Sequence, residues 1–122
     1  IMPEDLVNLS LSKRASLVAD QLFSSGYFSD KISIVKFGLA YAIGHYYGKF
    51  DPSTIEQASD NDGLNYNVGS LDGDKSIFEL VKCLYPNCVQ PYRYARGMIC
   101  FGLDKLGELF DRSELFPIYE LL

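Results

Sequence analysis

The sequence predicts a mainly α-helical single domain, residues 1–122, with one short strand near its N-terminus. The chain of 122 residues has the length of one domain, and its hydrophobic content of 48% is sufficient for an ordinary core. Residues 7–11 alternate apolar and polar side chains with the period of a strand, whereas the following segments space their apolar residues as helices do. A lone strand leaves backbone N–H and C=O groups unpaired, so we expect it to pair with the same strand of a second copy. The expected assembly is therefore a homodimer or a higher oligomer.

The predicted strand has one apolar and one polar face. The apolar face carries Val7, Leu9 and Leu11, and the polar face carries Asn8, Ser10 and Ser12. Ser12 also occupies the N-cap position of a first helix, where its hydroxyl can accept a backbone N–H. Apolar residues recur at helical spacing between positions 15 and 23, and Gly26 is predicted to end this helix in the left-handed conformation.

A second helix is predicted to begin near Ser29 or Asp30 and to run to about Tyr47. Its own apolar side chains lie on almost every side of the helix, and Gly38 and Gly44 leave room for another helix to approach closely. Such a helix is buried on several sides. In a small domain the simplest cover is the same helix of a second copy, related by a twofold axis.

Residues 51–73 are predicted to form a polar loop at the surface. They are rich in Asp, Asn, Ser and Gly, which favour turns over helices. One short helix is predicted around residues 54–58. The loop separates the N-terminal part from the rest of the domain.

Residues 74–122 are predicted to form a C-terminal helical extension. A third helix is expected to open at Asp72 or Asp74 and to end before Pro86. A fourth is expected to begin near Pro91, because proline suits the first turn of a helix. The end of the chain, residues 115–122, is too apolar to remain in water, so we expect it to dock on its own domain or on a partner subunit.

Residues 6–47 resemble the ribbon–helix–helix family, the fold of the methionine and Arc repressors. The resemblance rests on residues 7–11 for the ribbon, Gly26 and Tyr27 for the turn, and residues 29–31 for the start of the second helix. It implies an N-terminal ribbon–helix–helix-like dimer module. It also implies a DNA-binding or transcription-regulatory function, since the paired strands of that family lie in the major groove of double-stranded DNA.

The resemblance nominates seven residues for DNA contact. Those implied to read base edges are Asn8, Ser10 and Ser12, since Asn and Ser can hydrogen-bond to bases. Those implied to contact phosphates are Lys13 and Arg14 beside the ribbon, and Ser29 and Lys31 at the start of the second helix.

An adaptor without DNA contact is the alternative function. The net charge is −5, and the acidic excess lies entirely in residues 51–122. In this interpretation the polar strand face and the pair Lys13 and Arg14 are only solvated surface. The chain then binds a protein partner through its acidic helical part.

Other motifs suggest neither an enzyme nor a cofactor. Residues 60–65 match a calcium loop only in part and are better explained as turns. Cys83 and Cys88 lack the second ligand pair that a zinc site needs. His45 is placed to interact with the end of the second helix. We expect no catalytic residue and no metal ligand.

The segment Tyr92 to Arg96 interleaves two arginines with two tyrosines. This pattern occurs where single-stranded nucleic acid stacks on a protein. It equally fits arginine stems that lie over aromatic rings or pair with nearby carboxylates, which is the preferred interpretation here.

The sequence predicts a cytoplasmic protein. No apolar run approaches the roughly 20 residues that span a bilayer, and the first residues lack the basic start of a secretory signal. The three cysteines are an odd number, which favours reduced thiols over a disulfide framework.

Overall fold

One long helix near the C-terminus is the centre of the fold. The structure, a computed structural model, describes residues 4–111. In that range the elements are β1 (Asn8–Ser10), α1 (Lys13–Ser24), α2 (Lys31–Tyr46), α3 (Pro52–Ala58), β2 (Asn65–Asn67), α4 (Val68–Leu71), α5 (Ser76–Leu84) and α6 (Pro91–Asp111). Helices α1, α2, α3 and α5 and strand β1 all pack on α6. The mainly α-helical fold class is therefore confirmed.

Helix α1 begins and ends where the sequence predicts. Ser12 Oγ accepts the backbone N–H of Ala15 at 3.1 Å, which confirms the predicted N-cap. Beyond the helix, Gly26 adopts a φ of +84°, a left-handed conformation that glycine enters without steric cost. The buried side of α1 consists of Ala15, Ser16, Val18, Ala19 and Leu22.

Helix α2 is buried by α6 of its own chain. Its N-cap is Asp30, whose carboxylate accepts the Ser33 N–H at 2.7 Å. The two helices touch at Gly38 and Gly102, where a Cβ on Gly102 would lie 1.9 Å from the Gly38 carbonyl oxygen. Only a glycine allows this approach. The cover that we predicted from a second copy is thus provided within one chain, because α6 already occupies that side of α2.

Strand β1 pairs with β2 of its own chain, which corrects the predicted pairing with a second copy. The antiparallel register places Asn8 opposite Asn67, Leu9 opposite Tyr66, and Ser10 opposite Asn65. The ladder continues at Leu11, whose N–H donates to the Leu64 carbonyl at 2.8 Å. The predicted loop, residues 51–73, contains a short alternating stretch that supplies the second strand. The ribbon–helix–helix dimer module is not confirmed.

The remaining helices follow the sequence prediction closely. Helix α3 is the short helix expected within the polar segment, and α5 ends at Leu84, before Pro86. The carboxylate of Asp72 accepts the N–H groups of Ile77 at 2.8 Å and Phe78 at 3.0 Å, which stabilises the start of α5. Helix α4 was not predicted. The docking predicted for residues 115–122 lies outside the described residues.

Arg96 of α6 holds the segment between α3 and β2 in place. Only 2% of this residue is exposed. Its guanidinium donates to the carbonyl oxygens of Ser10 at 2.6 Å, Glu56 at 2.9 Å, Ser59 at 3.3 Å, and Asp60. The carboxylate of Glu56 accepts from both Arg96 and Arg93. The preferred interpretation of residues 92–96, arginines that pair with carboxylates, is therefore confirmed.

Candidate interface along helix α1

Two of the three residues proposed to read bases lie on a polar face of the β1–β2 ribbon. Asn8 is exposed and Ser10 is half-buried, and exposed Asn65 and Asn67 lie opposite them. The hydroxyl of Ser10 donates to the Asn65 side-chain oxygen at 2.8 Å. The ribbon face therefore carries only neutral hydrogen-bonding groups.

The third proposed reader, Ser12, is not on this face. It is buried, and its hydroxyl accepts the Ala15 N–H. Burial raises the pKa of the Cys100 thiol, and the backbone and hydroxyl of Ser12 oppose this shift. The N-cap role turns Ser12 into the protein, which corrects its assignment to the exposed polar face.

Lys13 and Arg14 lie side by side at the exposed start of α1. The backbone N–H of Lys13 donates to Asp60 Oδ1 at 2.8 Å. The guanidinium of Arg14 lies 3.0 Å from the carboxylate of Asp111, the last residue of α6. Arg14 is therefore already paired with an acidic residue of its own chain. A role in binding phosphate would not require such a pair.

Ser29 and Lys31 lie at the start of α2, where the carboxylates of Asp30 and Asp20 are close to them. Lys31 lies 2.7 Å from Asp20, and this carboxylate raises the pKa of the lysine. The backbone N–H of Ser33 lowers the pKa of Asp30, so a carboxylate occupies the helix N-terminus where we expected a phosphate. Ser29 itself is exposed.

A groove runs along the outer face of α1, on both sides of Leu17. Leu17 is 51% exposed. The hollow towards α6 has a volume of about 410 Å³ and is lined by Arg14, Leu17, Asp20, Gln21, Ser24 and Phe110. The hollow towards β2 has a volume of about 380 Å³ and is lined by Lys13, Ser16, Leu17, Asp20 and residues 62–64. We call the two hollows together the α1 groove.

One wall of the α1 groove, on the β2 side, is held by contacts to α1 and to Leu11. On the β2 side, the Leu64 N–H donates to the Ser16 hydroxyl at 2.6 Å, and the Gly63 N–H donates to the Leu11 carbonyl at 2.9 Å. A Cβ on Gly63 would lie 2.2 Å from Ser16 Oγ, so this wall can approach α1 only with a glycine there. This wall is therefore a fixed feature of the surface, and the groove that it borders has Leu17 at its centre and charged side chains along its rims.

The sequence analysis predicted the exposed basic side chains of this groove but missed its apolar centre. Lys13 and Arg14 were nominated, whereas Leu17 and Phe110 were not. A signal for Leu17 was present, because it lies off the helical stripe formed by Ala15, Val18, Ala19 and Leu22. A leucine outside the buried stripe of an amphipathic helix is expected at the surface.

A second, smaller groove separates α2 from α5. Its volume is about 210 Å³, and it is lined by Lys36, Leu39, Ala40, Ser76, Ile77 and Leu80. Leu80 is 40% exposed at its rim. This second groove provides a comparison surface for experiments on the α1 groove.

Other chemistry in residues 4–111 is limited. In that range, no three His, Cys, Asp or Glu side chains are grouped so that they could hold a metal ion, and none of the helices has the length and hydropathy of a membrane span. His45 lies near the end of α2 with its ring 4.4 Å from that of Tyr41. No family model matches the chain, and comparisons with curated proteins and with solved structures find no similar protein.

Proposed function

We propose that the chain is a non-enzymatic adaptor that binds a protein partner through the α1 groove. The observation that carries this proposal is Leu17, a large apolar side chain that is 51% exposed between two adjoining hollows. An apolar centre with a polar rim is the usual composition of a protein interface. The partner contributes an apolar side chain that packs against Leu17.

The charges on the rim suit a protein partner better than a nucleic acid. Lys13 and Arg14 lie on one end of the groove, and Asp20 and Asp62 lie along it. Mixed signs set the orientation of a protein partner, whereas the carboxylates repel phosphates. The exposed pair of Arg14 and Asp111 contributes little to stability, so Arg14 can exchange Asp111 for a partner carboxylate at small cost.

Replacement of Leu17 by arginine tests this proposal. The immobilised full chain is incubated with cell extract, and the retained proteins are compared among the native chain, Leu17→Arg and Leu80→Arg. The second variant is the matched control, since Leu80 is a similarly exposed leucine in the other groove. A partner of the α1 groove is retained by the native chain and Leu80→Arg, and its measured Kd is at least tenfold weaker for Leu17→Arg.

Two results would contradict the adaptor function. One is an identical set of retained proteins for the native chain and Leu17→Arg. The other is an equal loss for both arginine variants, which would indicate a general effect of added charge.

DNA binding through the ribbon is the second candidate, favoured by the shape of the β1–β2 pair. A two-stranded antiparallel ribbon fits the major groove, and Asn8, Ser10, Asn65 and Asn67 can all hydrogen-bond to base edges. This function requires duplex binding at low salt that weakens steeply as salt rises. Joint replacement of Lys13 and Arg14 by alanine must weaken it, while Lys36→Ala with Lys49→Ala, a control of equal charge, must not. Absence of binding at about 50 mM salt would exclude this candidate.

A further inference from the structure

Helix α1 carries its exposed charges in an order that suits a second copy of itself. Lys13 lies four residues before the exposed Leu17, and Asp20 lies three residues after it. At the usual rise of an α-helix, these charges lie about 6 Å and about 4.5 Å from the level of Leu17, in opposite directions along the helix. The outer face of α1 is therefore basic, then apolar, then acidic from its N-terminal to its C-terminal end.

Lys13 and Asp20 lie on the same flank of α1. They are seven residues apart, which is close to two turns, and both line the hollow towards β2. Their separation of about 10 Å along the helix is too long for a direct ion pair within one chain. Asp60 binds the backbone N–H of Lys13 rather than its ammonium group, and the Asp20 side chain stays 53% exposed in its ion pair with Lys31. Both charges can therefore take part in a contact with another molecule.

An antiparallel pair of α1 helices brings these groups together. A twofold axis reverses the direction of the second helix, so Leu17 meets Leu17 of the second copy and each Lys13 comes beside Asp20 of the other copy. The axis also keeps the same flank of both helices on one side. The levels of the two charged groups then differ by about 1.5 Å, the rise of one residue, which a flexible lysine stem spans.

The charge balance of the α1 groove also suits self-association. The whole chain has a net charge of −5, so two copies repel each other on average. Among the described residues, however, the groove is lined by two basic side chains, Lys13 and Arg14, and two acidic ones, Asp20 and Asp62. Two such faces meet without net repulsion, and removal of both Leu17 side chains from water adds a favourable contribution.

We propose that the α1 groove binds helix α1 of a second copy, antiparallel and around a twofold axis, to form a homodimer. This inference rests on the proposed function, since it treats the same groove as a protein interface and names the molecule that occupies it in the free chain. A foreign partner binds by displacing the second copy. Because each chain contributes one short helix, the homodimer is weak and its population depends on concentration.

Sedimentation of the full chain at concentrations up to about 1 mM tests the homodimer. The native chain and the control Leu80→Arg should approach the mass of two chains, whereas Leu17→Arg should remain a monomer. Lys13→Asp and Asp20→Lys each place like charges together twice, so each should weaken dimerisation by about tenfold or more. Lys36→Asp, a charge reversal of equal size in the other groove, should leave dimerisation unchanged.

A mixture of the two charge-reversal variants tests the pairing between chains. In Lys13→Asp both charged positions of the pairing are acidic, and in Asp20→Lys both are basic, so each variant repels itself and attracts the other. An equimolar mixture should therefore form a heterodimer about as strongly as the native chain forms its homodimer. Both positions are exposed, so neither substitution should unfold the chain.

Four results would overturn the proposal. The first is a native chain that stays monomeric at every concentration, and the second is a dimer that Lys13→Asp or Asp20→Lys leaves unchanged. The third is an equal loss of the dimer for Leu17→Arg and Leu80→Arg, which would indicate a contact elsewhere or a general effect of added charge. The fourth is a mixture of the two charge-reversal variants that stays monomeric.

Sedimentation needs no foreign protein, so its outcome is independent of the retention experiment. A homodimer that depends on Leu17, together with identical proteins retained from extract by the native chain and Leu17→Arg, would contradict the adaptor function alone. A foreign protein that depends on Leu17, together with a monomeric native chain, would contradict the homodimer alone.

Discussion

The two halves of helix α6 differ in whether their buried ionisable groups are hydrogen-bonded. In the N-terminal half, Arg96 is almost fully buried and donates to four backbone carbonyls and one carboxylate. In the C-terminal half, the half-buried Asp104 has a buried oxygen, Oδ1, with no hydrogen-bond partner among the described residues. The first half satisfies its buried charge, whereas the second leaves one buried carboxylate oxygen without a partner among the described residues.

At the start of helix α6 the polar groups are likewise hydrogen-bonded. The carboxylate of Asp5, far away in sequence, accepts the backbone N–H of Tyr92 at 2.8 Å and of Arg93 at 3.2 Å. The hydroxyl of Tyr92 donates a hydrogen bond to the Asp72 carboxylate at 2.8 Å, and burial together with this contact raises the pKa of the tyrosine. Thus the acidic residues near the N-terminus of α6 have structural roles.

The largest expected effect is that of Arg96→Met. The methionine removes the donors of several buried carbonyls, so we expect the free energy of unfolding to fall by about 3–5 kcal/mol. Urea denaturation measures this loss. Arg93→Met is the matched control, because Arg93 shares the Glu56 carboxylate but has a side chain that is 41% exposed, and its loss should stay below about 1 kcal/mol. Equal losses for both variants would contradict the role assigned to Arg96.

A smaller loss is expected from Asp5→Ala. The variant leaves the first amides of α6 without their carboxylate, which for a helix cap costs about 1–2 kcal/mol of unfolding free energy. Thermal or urea denaturation gives the value. Its neighbour Glu4 is exposed, so Glu4→Ala should change stability by less than about 0.5 kcal/mol. An unchanged free energy of unfolding for Asp5→Ala would show that water replaces this cap without loss of stability.

Asp104→Asn, in the second half of α6, is expected to raise the free energy of unfolding rather than lower it. Burial raises the pKa of Asp104 above its ordinary value. A carboxyl with a raised folded-state pKa stabilises the fold below its unfolded pKa, and this contribution disappears as pH rises through the folded pKa. The neutral asparagine escapes this loss, so the variant should be more stable than the native chain at pH 7, on the order of 1 kcal/mol.

Denaturation at several pH values tests this sign. The difference between Asp104→Asn and the native chain should shrink as pH falls to about 3, where the native carboxyl is protonated. Glu108→Gln, at an exposed position on the next turn, is the control and should show little difference at any pH. A variant that is less stable at pH 7 would mean that the ionised Asp104 has a partner that stabilises it.

The contrast between local and distant contacts explains how much of this fold the sequence predicted. The caps at Ser12 and Asp30 and the left-handed Gly26 depend on residues within one turn, and all three are visible in the sequence. The partner of β1 depends on residues 55 or more positions away, and the carbonyls bound by Arg96 depend on spacings of 36 to 86 residues. No local pattern encodes those pairings.

The candidate site was predicted only in part, for a related reason. The exposure of Lys13 and Arg14 follows from their charge and from their place in the first turn of α1. The far wall of the groove comes from Phe110 and from residues 62–64, which only the tertiary fold brings to α1. Ser12 was misplaced because one side chain can cap a helix or face solvent, and the strand period alone does not decide between them.

The smallest expected effect on stability is that of Arg14→Ala, at the rim of the α1 groove. The side chains of Arg14 and Asp111 are 45% and 57% exposed, so their ion pair should contribute less than about 0.5 kcal/mol and weaken further with salt. Urea denaturation at low salt and at about 0.5 M salt measures both effects, with Lys49→Ala as an exposed control. A loss above about 1 kcal/mol would place Arg14 with Arg96 as a structural residue. A negligible loss would leave the charge of Arg14 available to a partner.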